Sequence, residues 1–146
     1  MLVAVCIITV ILLAFISIFS SNGNHYYAGK TAKDRTAFLC LLGYSQDETS
    51  QQKATVVLPE NFNDVYTRYN QKQQLAGFDL KPYRGESAVL YSYRIIGFAN
   101  STNTVATLIV VNGAIVGGDI SFESGVCVLP LINKTENLKN LKLNGE

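Results

Sequence analysis

Residues 104–122 read TVATLIVVNGAIVGGDISF, and this stretch decides the fold. Two runs rich in β-branched residues flank Asn112-Gly113, a dipeptide typical of the tight turn between antiparallel strands, because both of its residues accept positive φ. The pattern therefore predicts a hairpin with strands over residues 104–111 and 114–122.

The hairpin turn also predicts which side chains share a face of the sheet, because successive side chains in a strand point to opposite faces. If Val111 lies opposite Ala114, one face is the core side, where the helices pack, and the other is half-apolar with a few polar groups. The pairs Ile109–Val116 and Val105–Ile120 are expected on the core side, and Leu108–Gly117 and Ala106–Asp119, continued by Ser121, on the second face.

Two further strands are predicted upstream of the hairpin. Alternation over residues 87–98 places apolar side chains on one face, namely Val89, Tyr91, Tyr93 and Ile95. The short β-branched run over residues 54–58 is typical of a strand and is ended by Pro59. The polar residues 44–52 before it are expected to form a loop.

Two helices are predicted from their start signals. Thr31 and Asp34 are spaced as a capping box, and Gly43 supplies a stop; the apolar stripe of this first helix is Phe38, Leu41 and Leu42. The second helix begins near Glu60 or Asn63, and it places an apolar stripe on one side, formed by Phe62, Val65, Tyr66 and Tyr69.

The order of these elements predicts an α+β fold, with two helices packed on one face of a four-stranded, mainly antiparallel sheet and one transmembrane helix before it. The expected domain covers residues 31–125. Residues 1–20 are interpreted as the membrane anchor, residues 21–30 as a juxtamembrane linker and residues 126–146 as a polar C-terminal tail.

The membrane anchor is predicted from residues 2–19, LVAVCIITVILLAFISIF, which contain no charge and no proline. A helix rises about 1.5 Å per residue, so this run covers most of a hydrocarbon layer about 30 Å thick. A cleaved signal peptide is the alternative, but no basic residue precedes the run and no small-residue cleavage site follows it. Basic residues after the run, Lys30, Lys33 and Arg35, argue weakly against export of the rest of the chain.

The charge balance and the motifs exclude several classes of function. Twelve basic and eleven acidic residues give a net charge of +1, which provides no footprint for nucleic acid. No metal or cofactor is expected, since the chain holds no CxxC, HExxH, GxSxG or P-loop pattern and its one histidine, His25, lies in the linker. Cys40 and Cys127 either form one disulfide in an oxidising compartment, or Cys40 is a buried helical thiol.

Four stretches carry a family resemblance: DRTAFL at residues 34–39, VLPENF at 57–62, GFDL at 77–80 and GAIVGGD at 113–119. In this order and spacing they resemble the bacterial family named domain of unknown function 4830. Members typically carry a hydrophobic N-terminal segment followed by the domain, so the resemblance implies a cell-envelope location with the domain outside the cytoplasm. It implies no activity and no site residues.

The remaining polar groups predict a membrane-anchored, non-catalytic binding module whose protein or peptide partner is unknown. Its expected contact surface is the second sheet face, around Leu108, Gly117, Gly118, Asp119 and Ser121, or an exposed sheet edge that accepts an added strand. Gly117-Gly118 is also typical of a bulge or a close helix contact.

An envelope hydrolase is the rival interpretation, with Asp119 and Glu123 sharing acid and base roles. A third interpretation is a structural or sensor spacer. The simplest interpretation of the two carboxylates is a solvated strand face, because no histidine, lysine or cysteine is placed to complete a catalytic set.

Overall fold

The computed structural model describes residues 27–99, 103–122 and 128–143. Within them the chain forms a six-stranded antiparallel sheet and three α-helices. In chain order the elements are β1 (Tyr27–Ala28), α1 (Ala32–Leu41), β2 (Ser45–Val57), α2 (Asp64–Leu75), a 3-10 turn (Lys81–Tyr83), β3 (Ser87–Ile96), β4 (Thr104–Val111), β5 (Ala114–Phe122), β6 (Val128–Pro130) and α3 (Lys134–Leu143).

The sheet has unequal edges. Its strands lie in the order β1-β5-β4-β3-β2, and β6 pairs with β5 on the same side as β1, further along the strand. One edge is therefore made of two very short strands. The other edge is β2, which is the longest strand of the sheet.

The predicted helix starts are confirmed. The Thr31 hydroxyl accepts a hydrogen bond from the Asp34 backbone N–H at 3.1 Å, and the Asp34 carboxylate accepts one from the Thr31 N–H at 2.8 Å. Asn63 caps α2 by accepting from the Tyr66 N–H at 3.0 Å. These side chains replace the intrahelical acceptors that the first turn of a helix lacks.

Helices cover both faces of the sheet, and each face has its own core. On the α1 face, α1 packs on the sheet through Phe38 and Leu39, and Leu131 and α3 pack beside it. The buried strand residues of this face are Tyr93, Ile95, Ala106, Leu108 and Ile120. The α2 face carries the strand residues Ala88, Leu90, Ile109, Val111 and Val116 against Leu58, Leu80, Phe62 and Tyr69.

The register predicted for the hairpin is wrong beyond its first two pairs. Val111 lies opposite Ala114 as expected, but Ile109 lies opposite Gly117, so Val116 is an extra residue in β5. This β-bulge moves every later residue of β5 by one position, and a slip of one residue exchanges the two faces. Ile120 therefore pairs with Ala106 on the α1 face, and Asp119 pairs with Thr107 on the α2 face.

The predicted fold class is wrong as well. The sheet has six strands instead of four, and α1 and α2 pack on opposite faces instead of one. The predicted anchor, residues 2–19, lies outside the described residues. Among the residues that are described, no helix is long and apolar enough to cross a membrane.

Three segments predicted to be linker, loop or tail belong to the fold. The linker contributes β1, the loop over residues 44–52 is mostly the first half of β2, and the tail contributes β6 and α3. β1 and β6 are only two and three residues long, and the loop and α3 consist mostly of polar residues, so no long apolar period marks these segments. In α3, for example, the fully buried Asn137 donates hydrogen bonds to the Tyr44 hydroxyl at 2.8 Å and the Pro130 carbonyl at 2.9 Å.

A buried arginine fastens the start of the described chain to the sheet. Arg35 of α1 is 4% exposed, and its guanidinium donates to the carbonyl oxygens of Gly29 and Lys30, to the Tyr93 hydroxyl and to the Gln51 side-chain oxygen, at 2.8 to 3.1 Å. Its Cζ also lies 3.5 Å from the centre of the Tyr91 ring. Arg35 thus links β1, α1, β2 and β3.

Candidate functional site

An apolar groove lies on the α2 face, between α2 and the edge strand β2. Its volume is about 360 Å³ and it opens to solvent. All eight lining side chains are aliphatic or tyrosine: Val56, Leu58, Val65, Tyr66, Tyr69, Leu80, Leu90 and Ile109. Ligand pockets in proteins commonly have this size and this mostly apolar lining.

The α2 side of the groove is the part of the apolar stripe that α2 leaves uncovered. The fully buried residues of α2 are Asn70 and Gln73, both polar, whereas Val65 in the apolar stripe is 63% exposed. A surface helix normally turns its apolar side towards the core. Here Tyr69 packs partly on the core, and Val65 and Tyr66 line the groove with it.

Polar contacts attach α2 to its surroundings. The Asn70 amide oxygen accepts from the Leu80 N–H at 2.7 Å, and its amide nitrogen donates to Asp79 at 2.8 Å. The Gln73 amide oxygen accepts from the Gly118 N–H at 2.8 Å. The buried Gln73 Nε2 has no hydrogen-bond partner among the described residues.

Asp119 lies behind the groove as a half-buried carboxylate. The Tyr69 hydroxyl donates to Asp119 Oδ2 at 2.7 Å. Burial raises the pKa of the Asp119 carboxyl above its ordinary value of 3.8, while hydrogen bonds from Tyr69 and Ser121 and the nearby Lys72 ammonium act in the opposite direction. Burial, followed by the charge of Asp119, likewise raises the pKa of Tyr69.

The edge strand beside the groove is unpaired on its outer side in the described part of the chain. A large bulge between Asp47 and Gln52 interrupts its pairing with β3, after which residues 52–57 pair regularly with residues 87–92. This regular half contains one charge, Lys53, and no proline. Natural sheets usually protect such an edge with several charges, a proline or a covering segment.

The structure does not bring the predicted contact residues to one surface. Leu108 is fully buried on the α1 face, whereas Asp119 and Ser121 lie on the α2 face. Gly117 follows the bulge directly and contacts Gln73 of α2. This confirms the interpretation of the glycine pair as a bulge with a close helix contact. Gly118 packs against Leu131.

Glu123, the second carboxylate of the hydrolase interpretation, lies outside the described residues, and so do Cys127 and His25. Cys40 is an exposed free thiol, so the prediction that it is a buried helical residue is wrong. Across residues 27–99, 103–122 and 128–143, no three histidine, cysteine or acidic side chains are grouped to hold a metal ion.

The groove is not predicted by the sequence pattern, although the sequence contains a signal for it. The stripe formed by Phe62, Val65, Tyr66 and Tyr69 is typical of a helix face that packs on the core. The signal against a wholly apolar core face is Asn70 and Gln73, polar residues four positions after Tyr66 and Tyr69. The strand predicted over residues 54–58 is part of the longer edge strand β2, Ser45–Val57.

One comparison with known proteins gives a match. A family model described as a domain of unknown function, DUF4830, matches residues 38–120, which is more than half of the chain. The match includes α2, the groove lining and Asp119. No curated protein and no solved structure matches the chain.

Proposed function

Because the chain belongs to the family described as a domain of unknown function, DUF4830, which supplies no activity, we propose a function from the geometry. The domain is a binding module that takes an extended apolar protein segment along β2. The observation that carries the proposal is the position of the apolar groove directly beside a regular, unpaired strand edge.

Strand addition uses both features at once. An added strand hydrogen-bonds to the free N–H and C=O groups of the edge, and alternate side chains of that strand enter pockets on one face of the sheet. Val56 of β2 and Val65 of α2 line the groove from its two sides. Aliphatic side chains of the bound segment therefore enter the groove, and the lining, which has no charged side chain, favours uncharged ones.

The groove is tested with a synthetic probe, a lysine-flanked, fluorescently labelled peptide of alternating valine and threonine. Fluorescence anisotropy measures its binding to the full chain in non-ionic detergent micelles. Val65→Gln is expected to weaken binding about tenfold, because removing contact with a buried valine-sized surface costs about 1.5 kcal/mol or more.

Leu75→Gln is the matched control, because Leu75 also lies on α2, is 72% exposed and does not line the groove. It is expected to bind the peptide as the wild type does. Two peptides N-methylated at alternate residues, one at the valines and one at the threonines, each lack the backbone donors of one strand edge. Since an added strand bonds to β2 through one edge only, one of the two is expected to bind much more weakly. Equal affinities for Val65→Gln, Leu75→Gln and wild type would refute the groove as the binding site, and unchanged binding of both methylated peptides would refute strand addition.

Membrane anchoring is the second part of the proposal. It is supported by the uncharged, proline-free segment of residues 2–19, long enough to lie across the apolar layer of a membrane. The domain is proposed to face outside the cytoplasm, where an extended segment of an envelope protein is accessible. In intact cells, added protease is then expected to remove the domain while a cytoplasmic marker survives; protection of the domain until the cells are lysed would contradict this orientation.

A further inference from the structure

Tyr69 stands between the groove and the half-buried carboxylate of Asp119. One part of its side chain lines the groove, and its hydroxyl donates to Asp119 Oδ2 at 2.7 Å. Water in the open groove therefore lies one side chain away from Asp119. A ligand that fills the groove displaces this water, so it removes solvent from the surroundings of Asp119 as well as from Tyr69.

Burial outweighs the groups that favour a negative charge on Asp119. From α2 the Tyr69 hydroxyl donates to it and the Lys72 ammonium is near, and Tyr66 lies near Tyr69. Lys72 donates to the Val128 carbonyl of β6 at 3.0 Å.

Among the residues that the structure describes, the neighbouring strands bring neutral side chains beside Asp119. In the sheet it lies between Thr107 of β4 and Pro130 of β6, and the Ser121 hydroxyl of β5 is close to it. Further desolvation therefore disfavours the ionised carboxylate more than the protonated one.

We infer that filling the groove is coupled to protonation of Asp119, so that an apolar segment binds more tightly as the pH falls. The inference rests on the proposed function, since it concerns a ligand in the same groove. Asp119 is a positioning residue here, acting through Tyr69 without touching the ligand. Coupling requires only that the bound state favour the protonated form more than the free state does.

The test measures the affinity of the valine–threonine peptide from about pH 4 to about pH 8, for wild type and for Asp119→Asn. The peptide carries lysine and threonine side chains, which do not titrate in this range. Wild type is expected to bind about fivefold more tightly at the acid end, at the lower limit of usual coupling factors. Asp119→Asn, which keeps an oxygen acceptor for Tyr69 and cannot ionise, is expected to bind equally at all pH values.

A second measurement does not depend on the peptide. Because burial raises the pKa of Asp119 above its value in the unfolded chain, the folded state binds more protons between the two values, and stability falls as the pH rises through the folded-state pKa. Urea unfolding is expected to show this fall for wild type and a smaller one for Asp119→Asn.

The outcomes separate the two proposals. If the peptide binds with the same affinity at every pH, or if Asp119→Asn retains the pH dependence of the wild type, the coupling is wrong and the binding module stands. If the peptide does not bind at any pH, both are overturned. A wild type and an Asp119→Asn variant with the same stability profile would show that Asp119 ionises as freely in the fold as in the unfolded chain, and would remove the desolvated environment from which the coupling is argued.

Discussion

Arg35→Met is expected to lower the free energy of unfolding by about 3 kcal/mol. Methionine fills much of the space but donates no hydrogen bond, so the carbonyl oxygens of Gly29 and Lys30 lose the donors that they have in the folded state. Each buried polar group left without a partner costs about 1 to 3 kcal/mol. Urea unfolding followed by circular dichroism measures the loss.

Two control variants separate the effect of the Arg35 hydrogen bonds from the effect of its positive charge. Arg35→Lys keeps the positive charge, but one ammonium group does not span acceptors on β1, β2 and β3, so most of the stability is expected to be lost. Arg68→Met removes an exposed cation from α2 and is expected to change stability by about 0.5 kcal/mol or less. Full stability of Arg35→Lys would show that the positive charge alone matters and would contradict the claim that the hydrogen bonds of Arg35 stabilise the fold.

Gly118→Ala is expected to cost about 2 to 3 kcal/mol, although an alanine at a compatible site usually stabilises by restricting the unfolded chain. A Cβ at this position overlaps the backbone carbonyl oxygen of Thr107 and lies 2.8 Å from Leu131 Cδ2. The Thr107 carbonyl belongs to the central strand β4, so it has little freedom to move. Thermal or urea unfolding of the variant measures the cost.

Gly117→Ala provides the graded comparison. Its Cβ meets a side chain instead, the Gln73 oxygen at 2.7 Å, and a side chain moves more easily than a strand. The variant is therefore expected to be less destabilised than Gly118→Ala, while the loss of the Gln73 contact with Gly118 weakens the attachment of α2. A larger loss at Gly117 than at Gly118 would contradict the expectation that the Gln73 side chain moves more easily than the backbone of β4.

The site combines a stable sheet with a helix attached mainly by polar groups. The strands β3, β4 and β5 have buried residues on both faces, whereas α2 contributes Asn70 and Gln73 as its buried residues. Hydrogen bonds between neutral groups contribute about 1 kcal/mol each, and they depend strongly on distance and direction. This attachment leaves the apolar stripe of α2 available to line the groove.

The sequence by itself determined the elements whose signal is local. The Asn112-Gly113 turn, the Thr31–Asp34 capping box and the alternation through Tyr91 and Tyr93 each depend on residues within a few positions of one another, and all three are confirmed. The resemblance to the DUF4830 family is confirmed for the same reason, since it rests on the order and spacing of short stretches.

Only the tertiary structure decided which side chains meet. The bulge at Val116 depends on how β5 packs against α2 and β4, and it places Asp119 beside Tyr69 and separates it from Leu108. Likewise, β1 and β6 are two and three residues long and α3 is mostly polar, and pairing with β5 and hydrogen bonds such as those of Asn137 hold them in the fold. A hairpin turn fixes the register of the residue pairs next to it, but one extra residue three positions later exchanges the two faces of the strand. Contacts with residues far away in sequence determine whether that extra residue is stable.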